Sequence, residues 1–198
     1  MLKITKVRKG KDSPKSLKIC KRVVSVRWVY SLNAGGRKQR TSVFAIAGTS
    51  KGRVGIGLGK AKNTTVAAKK AVDQASKLMK RVYAISSMPE SSVHHSVVAK
   101  HGATRVVVMP SVAGQGIKAG DPVRLLMECL GVKNVVVKVH GSNNPINTVK
   151  AVLKGLNLIS SPREISARRN VSYERVIGRQ VPDTVAPSEQ DTHKISTK

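Results

Sequence analysis

The chain has 198 residues, a formal net charge of +27 and a sequence pI of about 10.9. A cationic excess of this size points to a polyanion, most often nucleic acid, rather than to an ordinary solvated surface. No apolar run is long enough to span a bilayer, and the two cysteines, Cys20 and Cys129, lie outside any Cys-x-x-Cys pair, so a reducing compartment is expected, with neither a disulfide framework nor a zinc site.

In chain order, residues 1–20 read as a basic flexible arm that orders on a polyanion. The arm lacks the apolar centre of a signal peptide, which leaves a nucleic-acid-binding tail or an organelle presequence. Arg22 to Tyr30 is rich in Val, with Trp and Tyr, and predicts a strand. Asn33-Ala34-Gly35-Gly36 supplies a turn, and Thr41 to Ala47 returns as the second strand of a hairpin whose tip carries Arg37, Lys38 and Arg40. A turn over Gly48 to Gly52 leads to a third strand, Arg53 to Gly59. The period then becomes helical. Val66, Val72, Ala75, Leu78, Met79 and Val82 predict one apolar helix face, capped by Thr64 or Thr65.

Residues 86–92 predict a linker between domains over 21–85 and 93–180. The second half predicts strands over Val93 to Lys100 and Thr104 to Met109, then a glycine-bearing loop to Gly120. Asp121 is expected at the N-cap of a helix, with Pro122 at N1 and Gly131 past its end, which places Cys129 on the apolar face. Val135 to Val139 predicts a strand, and Asn144-Pro145 opens a further helix. Short helical extensions follow from Pro162 and over Ser172 to Ile177, and residues 181–198 read as a flexible tail. The fold class is α+β: a β-β-β-α domain followed by a ββαβα domain.

The third strand carries the most informative pattern. In Gly52-Arg-Val-Gly-Ile-Gly-Leu-Gly-Lys60, alternation puts Gly55, Gly57 and Gly59 on one face and Val54, Ile56 and Leu58 on the other. Glycine weakens strands, so a bare face makes sense where another backbone comes very close. Arg53 and Lys60 bracket it, and the simplest partner for bare backbone among cations is a phosphate chain; a packed helix is the alternative. The run fails the P-loop pattern because Ala61 follows Lys60 where Ser or Thr should bind magnesium. It fails the dinucleotide pattern in its glycine spacing.

No nucleophile motif, carboxylate pair or metal-ligand spacing appears, so no catalytic residue, metal or cofactor is expected. The aromatics are few: Trp28, Tyr30, Phe44, Tyr83 and Tyr173. That argues for phosphate, sugar and helix-shape contacts rather than base stacking as the main binding device.

The motif Gly52 to Ala61, with Gly35-Gly36-Arg37 before it, resembles the bacterial-type small-subunit ribosomal protein S-five family. Three further blocks agree in order: Gly114-Gln-Gly-Ile-Lys-Ala-Gly120 with Pro122-Val-Arg124, Leu130-Gly-Val-Lys-Asn-Val135, and Gly141-Ser-Asn-Asn-Pro-Ile-Asn147. The resemblance covers roughly residues 21–179 and implies a first half like a double-stranded-RNA-binding domain and a second half of the kind named for that protein. It implies a structural constituent of the small subunit, in a bacterium's cytoplasm or an organelle, that supports assembly and decoding fidelity. The implied partners are small-subunit rRNA, mRNA where it enters the subunit, and ribosomal proteins S-four and S-eight, with no membrane and no small-molecule substrate. By motif the family's fidelity-linked positions fall on Gly116 and Arg124, as a protein interface. Where the family usually has an Arg in the first strand, this chain has Trp28.

The expected RNA-binding residues are Arg22, Arg27, Arg37, Lys38, Arg40, Lys51, Arg53, Gly55, Gly57, Gly59, Lys60 and Lys62. The rival reading is a free-standing double-stranded-RNA-binding or RNA-chaperone protein, which the first half alone would suit.

Overall fold

The computed structural model describes residues 19–82 and 92–177. Most of the predicted arm, all but Ser92 of the predicted linker and the whole predicted tail lie outside these residues. Ile19 and Cys20, predicted as the end of the arm, instead open the first strand.

Strands β1 (Ile19–Asn33) and β2 (Gly36–Thr49) form a long antiparallel hairpin, with a register shift between Val23 and Ser25. Strand β3 (Arg53–Ala61) pairs with β2 as far as Thr41–Ala61. Beyond that pair the hairpin projects as a two-stranded ribbon. Helix α1 (Thr64–Lys77) follows, and the two-residue strand β4 (Lys80–Arg81) closes a sheet of order β1-β2-β3-β4. The helix expected to run through Val82 ends at Lys77, because Lys80 and Arg81 pair with β3 and the Val82 N–H donates to the Gly52 carbonyl at 2.8 Å. Asn63, not a threonine, stands at the N-cap and makes no side-chain cap bond.

The packed face of α1 differs in part from expectation. Val72 and Ala75 are buried as expected, joined by Ala67 and Ala71, whereas Val66 and Leu78 are exposed. The cause is the glycine strip. A Cβ on Gly55, Gly57 or Gly59 would stand 2.1–2.2 Å from the carbonyl oxygens of Ala75, Ala71 and Ala67 respectively. Alternate strand residues are about 6.7 Å apart and helix residues four apart about 6 Å. The glycine and alanine rows therefore match in pitch, backbone against backbone, and larger side chains have no room.

The second sheet has the order β5-β6-β8-β7: β5 (Val97–His101), β6 (Thr104–Pro110) and β8 (Val135–Gly141) are antiparallel, and β7 (Ile117–Lys118) is parallel to β8. Helix α2 (Asp121–Leu130) makes the crossover that a parallel pair requires. Its N-cap is Gly120, whose carbonyl accepts from the N–H groups of Val123 and Arg124, so Asp121 is the first helical residue rather than the cap. Gly131 ends the helix at φ +86. Helix α3 (Pro145–Leu158) begins as expected, with Asn144 Oδ1 accepting from the Ile146 N–H at 3.2 Å.

One hydrophobic cluster joins both halves. Phe44, Ile46 and Val54 of the first sheet share it with Leu126, Met127 and Leu130 of α2 and with Val106, Val135, Val149 and Leu156 of the second half. The first sheet thus lies between α1 and α2. Cys20 and Cys129 are free thiols with their Sγ atoms 3.1 Å apart across this contact. Burial, and then the neighbouring Cys20, push the Cys129 thiol far above its ordinary range.

A separate unit begins at Pro162. It holds α4 (Pro162–Arg169) and α5 (Tyr173–Ile177), with the Arg163 guanidinium 5.9 Å from the centre of the Tyr173 ring.

Candidate nucleic-acid interface

Strand pairing sorts the predicted cations onto faces. Val43 and Ala45 pack under α1, so Arg37, Gln39 and Thr41 share that side of β2, while Lys38, Arg40 and Ser42 share the other. On this other face Arg27, Ser42 and Lys60 form one row across three strands, spanning about 10 Å. Arg40 lies two residues from Ser42, and Lys38 two further on. Arg27, Arg40 and Lys60 are exposed and Lys38 is half-buried. Arg40, Lys60 and Lys62 also line a single open groove of about 470 Å³, together with Lys70 of α1. No acidic residue occurs from Ile19 to Val72, so this segment carries no carboxylate that neutralises its own cations.

The other predicted residues do not join this cluster. Lys51 and Arg53 lie at the opposite end of the sheet, about 30 Å from Arg40 along nine residues of β2. There Arg53 shares a groove with Arg81. Arg22 pairs with Ile46 and so faces α2; it is half-buried, with a buried Nε that has no hydrogen-bond partner. That position gives it a packing environment rather than an open phosphate site. Gly55, Gly57 and Gly59 are buried beneath α1, so the expectation that they receive RNA is corrected: the closely approaching backbone is the helix.

The loop before β7 is held from within. The N–H groups of Gly114 and Gly116 both donate to Oδ1 of the buried Asn134 at 3.2 Å, and the Val135 N–H donates to the Gly116 carbonyl. Gly116 adopts φ +74, and the space where its Cβ would stand is open. Arg124 is exposed on α2, with Nε 3.4 Å from Glu128 Oε1. Both positions are available to a neighbour.

One basic surface escaped the sequence reading. Across the second sheet Lys100, Arg105 and His140 align in a row, with Lys138 two residues from His140, and all four are exposed on the face away from buried Ala99, Val106 and Val137. The signal was present in the period-two placement of cations within Val-rich strands. Among the described residues, no group of three or more His, Cys, Asp or Glu side chains is placed to hold a metal ion.

Comparison with known proteins agrees with this architecture. Residues 19–83 match the family described as "Ribosomal protein S5, N-terminal domain", and residues 99–169 match "Ribosomal protein S5, C-terminal domain". The chain is 42% identical over 157 residues to the "Small ribosomal subunit protein uS5" of Cupriavidus pinatubonensis, covering 79% of this chain and 89% of that one. It is 39% identical over 160 residues to the protein of the same name from Neisseria meningitidis serogroup C, covering 81% and 91%. With both domains matched in order and most of each relative's length covered, the chain belongs to the ribosomal protein S5 family.

Proposed function

We propose that this chain is a structural constituent of the small ribosomal subunit that binds small-subunit rRNA. The observation that carries the reading is the exposed Arg27–Lys60 row with Arg40, set in a stretch without acids, on a chain that matches the family in both halves. The second-half match favours this over a free-standing RNA-binding or chaperone protein. The relatives quoted are bacterial, which supports a bacterial ribosome. Phosphate contacts account for the chemistry required, and the family is one of structural ribosomal proteins rather than enzymes. The purified chain should bind small-subunit rRNA in the presence of excess tRNA, with affinity falling steeply as salt rises. Equal competition by tRNA would leave only a nonspecific polycation.

At finer resolution, the reading places mRNA at its point of arrival, S-four and S-eight among the neighbours, and Gly116 and Arg124 at a protein interface. The exposure of Arg124, beside a loop pinned by Asn134, supports such a contact. Arg124→Ala is expected to change misreading in a reporter more than it changes subunit yield. Normal misreading at normal yield would make Arg124 a surface cation paired with Glu128 and nothing more.

A further inference from the structure

This chain has five aromatic residues, and two of them stand together with most of their surfaces exposed among the described residues. Trp28 and Tyr30 lie on the same face of β1, with 66% and 58% of their surfaces exposed, followed two residues on by Leu32 at 81%. Their strand spacing sets the aromatics about 7 Å apart. The α1 helix begins at Thr64, whose Oγ1 lies 3.4 Å from that of Thr41, the cross-strand partner of Trp28. Tyr30 and Leu32 lie beyond that point, on the two-stranded ribbon. Placing such side chains at water-accessible positions gains little for folding, since most of their apolar area stays wet.

The surroundings name the kind of partner. Trp28 lines an open groove of about 440 Å³ with Gln39, Lys62, Asn63 and Thr64. Arg37 stands opposite Leu32, and the hairpin and groove contain no acid. The surface therefore combines flat apolar rings, carboxamides that both donate and accept, and cations. Duplex RNA offers phosphates and hydroxyls but hides its base faces. Unpaired RNA offers bases for rings, polar edges for carboxamides and phosphates for lysine. An apolar protein surface would leave the cations unmatched.

We propose that Trp28 and Tyr30 form a stacking platform for unpaired nucleotides of RNA, with Gln39 and Asn63 reading base edges and Lys62 holding phosphate. The platform rests on the rRNA-binding reading above and adds to it a contact that the scarcity of aromatics had argued against.

Trp28 is the only tryptophan in the chain, so its emission reports on this site alone. A single-stranded twelve-nucleotide oligoadenylate should quench that emission, and the same strand paired with oligouridylate should quench it much less at equal occupancy. By anisotropy of the labelled oligoadenylate, Trp28→Ala should bind roughly five- to 150-fold more weakly, and Trp28→Phe should retain most of the affinity. Circular dichroism of both variants checks that the hairpin is intact. Equal quenching by duplex, or unchanged affinity in Trp28→Ala while the wild-type chain binds small-subunit rRNA, would overturn the platform and leave the cations as the sole contact. Absence of rRNA binding by the wild-type chain would overturn the functional reading beneath it.

Discussion

Gly57→Ala lowers the midpoint of thermal unfolding by roughly 6–12 °C, the equivalent of about 3 kcal/mol or somewhat more in a chain of this size. The added Cβ would stand 2.2 Å from the Ala71 carbonyl oxygen and 2.5 Å from the Ala75 nitrogen. Both are helix backbone, so no side chain can swing aside. Relief requires α1 to lift from β3 as a whole, which would loosen the buried row of Ala67, Ala71 and Ala75. Gly35→Ala is the matched control: nothing lies within 4 Å of its would-be Cβ, and the change should shift stability by less than about 0.5 kcal/mol. Calorimetry of the two variants decides. A Gly57→Ala loss as small as the control's would mean that the helix does not rest on the glycine strip.

The largest effect on binding belongs to Arg27, Arg40 and Lys60 changed together to Ala. If each neutralises one phosphate, the slope of log affinity against log salt becomes shallower by about 2–3 units. At 0.1 M salt that corresponds to a loss of about two to three orders of magnitude in affinity for small-subunit rRNA. Arg22→Ala should leave the slope unchanged, because Arg22 is half-buried on the face toward α2, with its Nε buried. Changing Lys51 and Arg53 should shift affinity independently, since they lie about 23–30 Å away along the sheet. Titration of each variant across a salt series reads both quantities. A triple variant with the wild-type slope would remove this face from the interface.

Much of the fold was legible because local chemistry and tertiary structure agree. Asn144-Pro145 starts α3, Gly131 ends α2, and the Gly36 turn closes the hairpin. Where they disagree, the reading failed for a physical reason. Val66 of α1 and Leu78 at its C-cap fit a helical period but are exposed, since only alanine can approach the glycine strip. The clue lies in Ala67 and Ala71, which stand at four-residue spacing with Ala75 but are outweighed by the larger residues. The same strip, bracketed by Arg53 and Lys60, invited a phosphate, yet alternation along β3 and pairing with β2 place Lys60 on the opposite face from the glycines. Which cations share a face depends on strand register, including the shift between Val23 and Ser25, and register is not encoded in composition. The basic face of the second sheet was missed because its members come from three strands, and no single segment looks cationic.

The central claim, residence in the small ribosomal subunit, is tested most directly by sedimenting native lysate through sucrose after a moderate-salt wash and following this chain across the fractions. The account predicts that it comigrates with the small subunit and stays there through the wash. A chain found at the top of the gradient, free of rRNA, would contradict it.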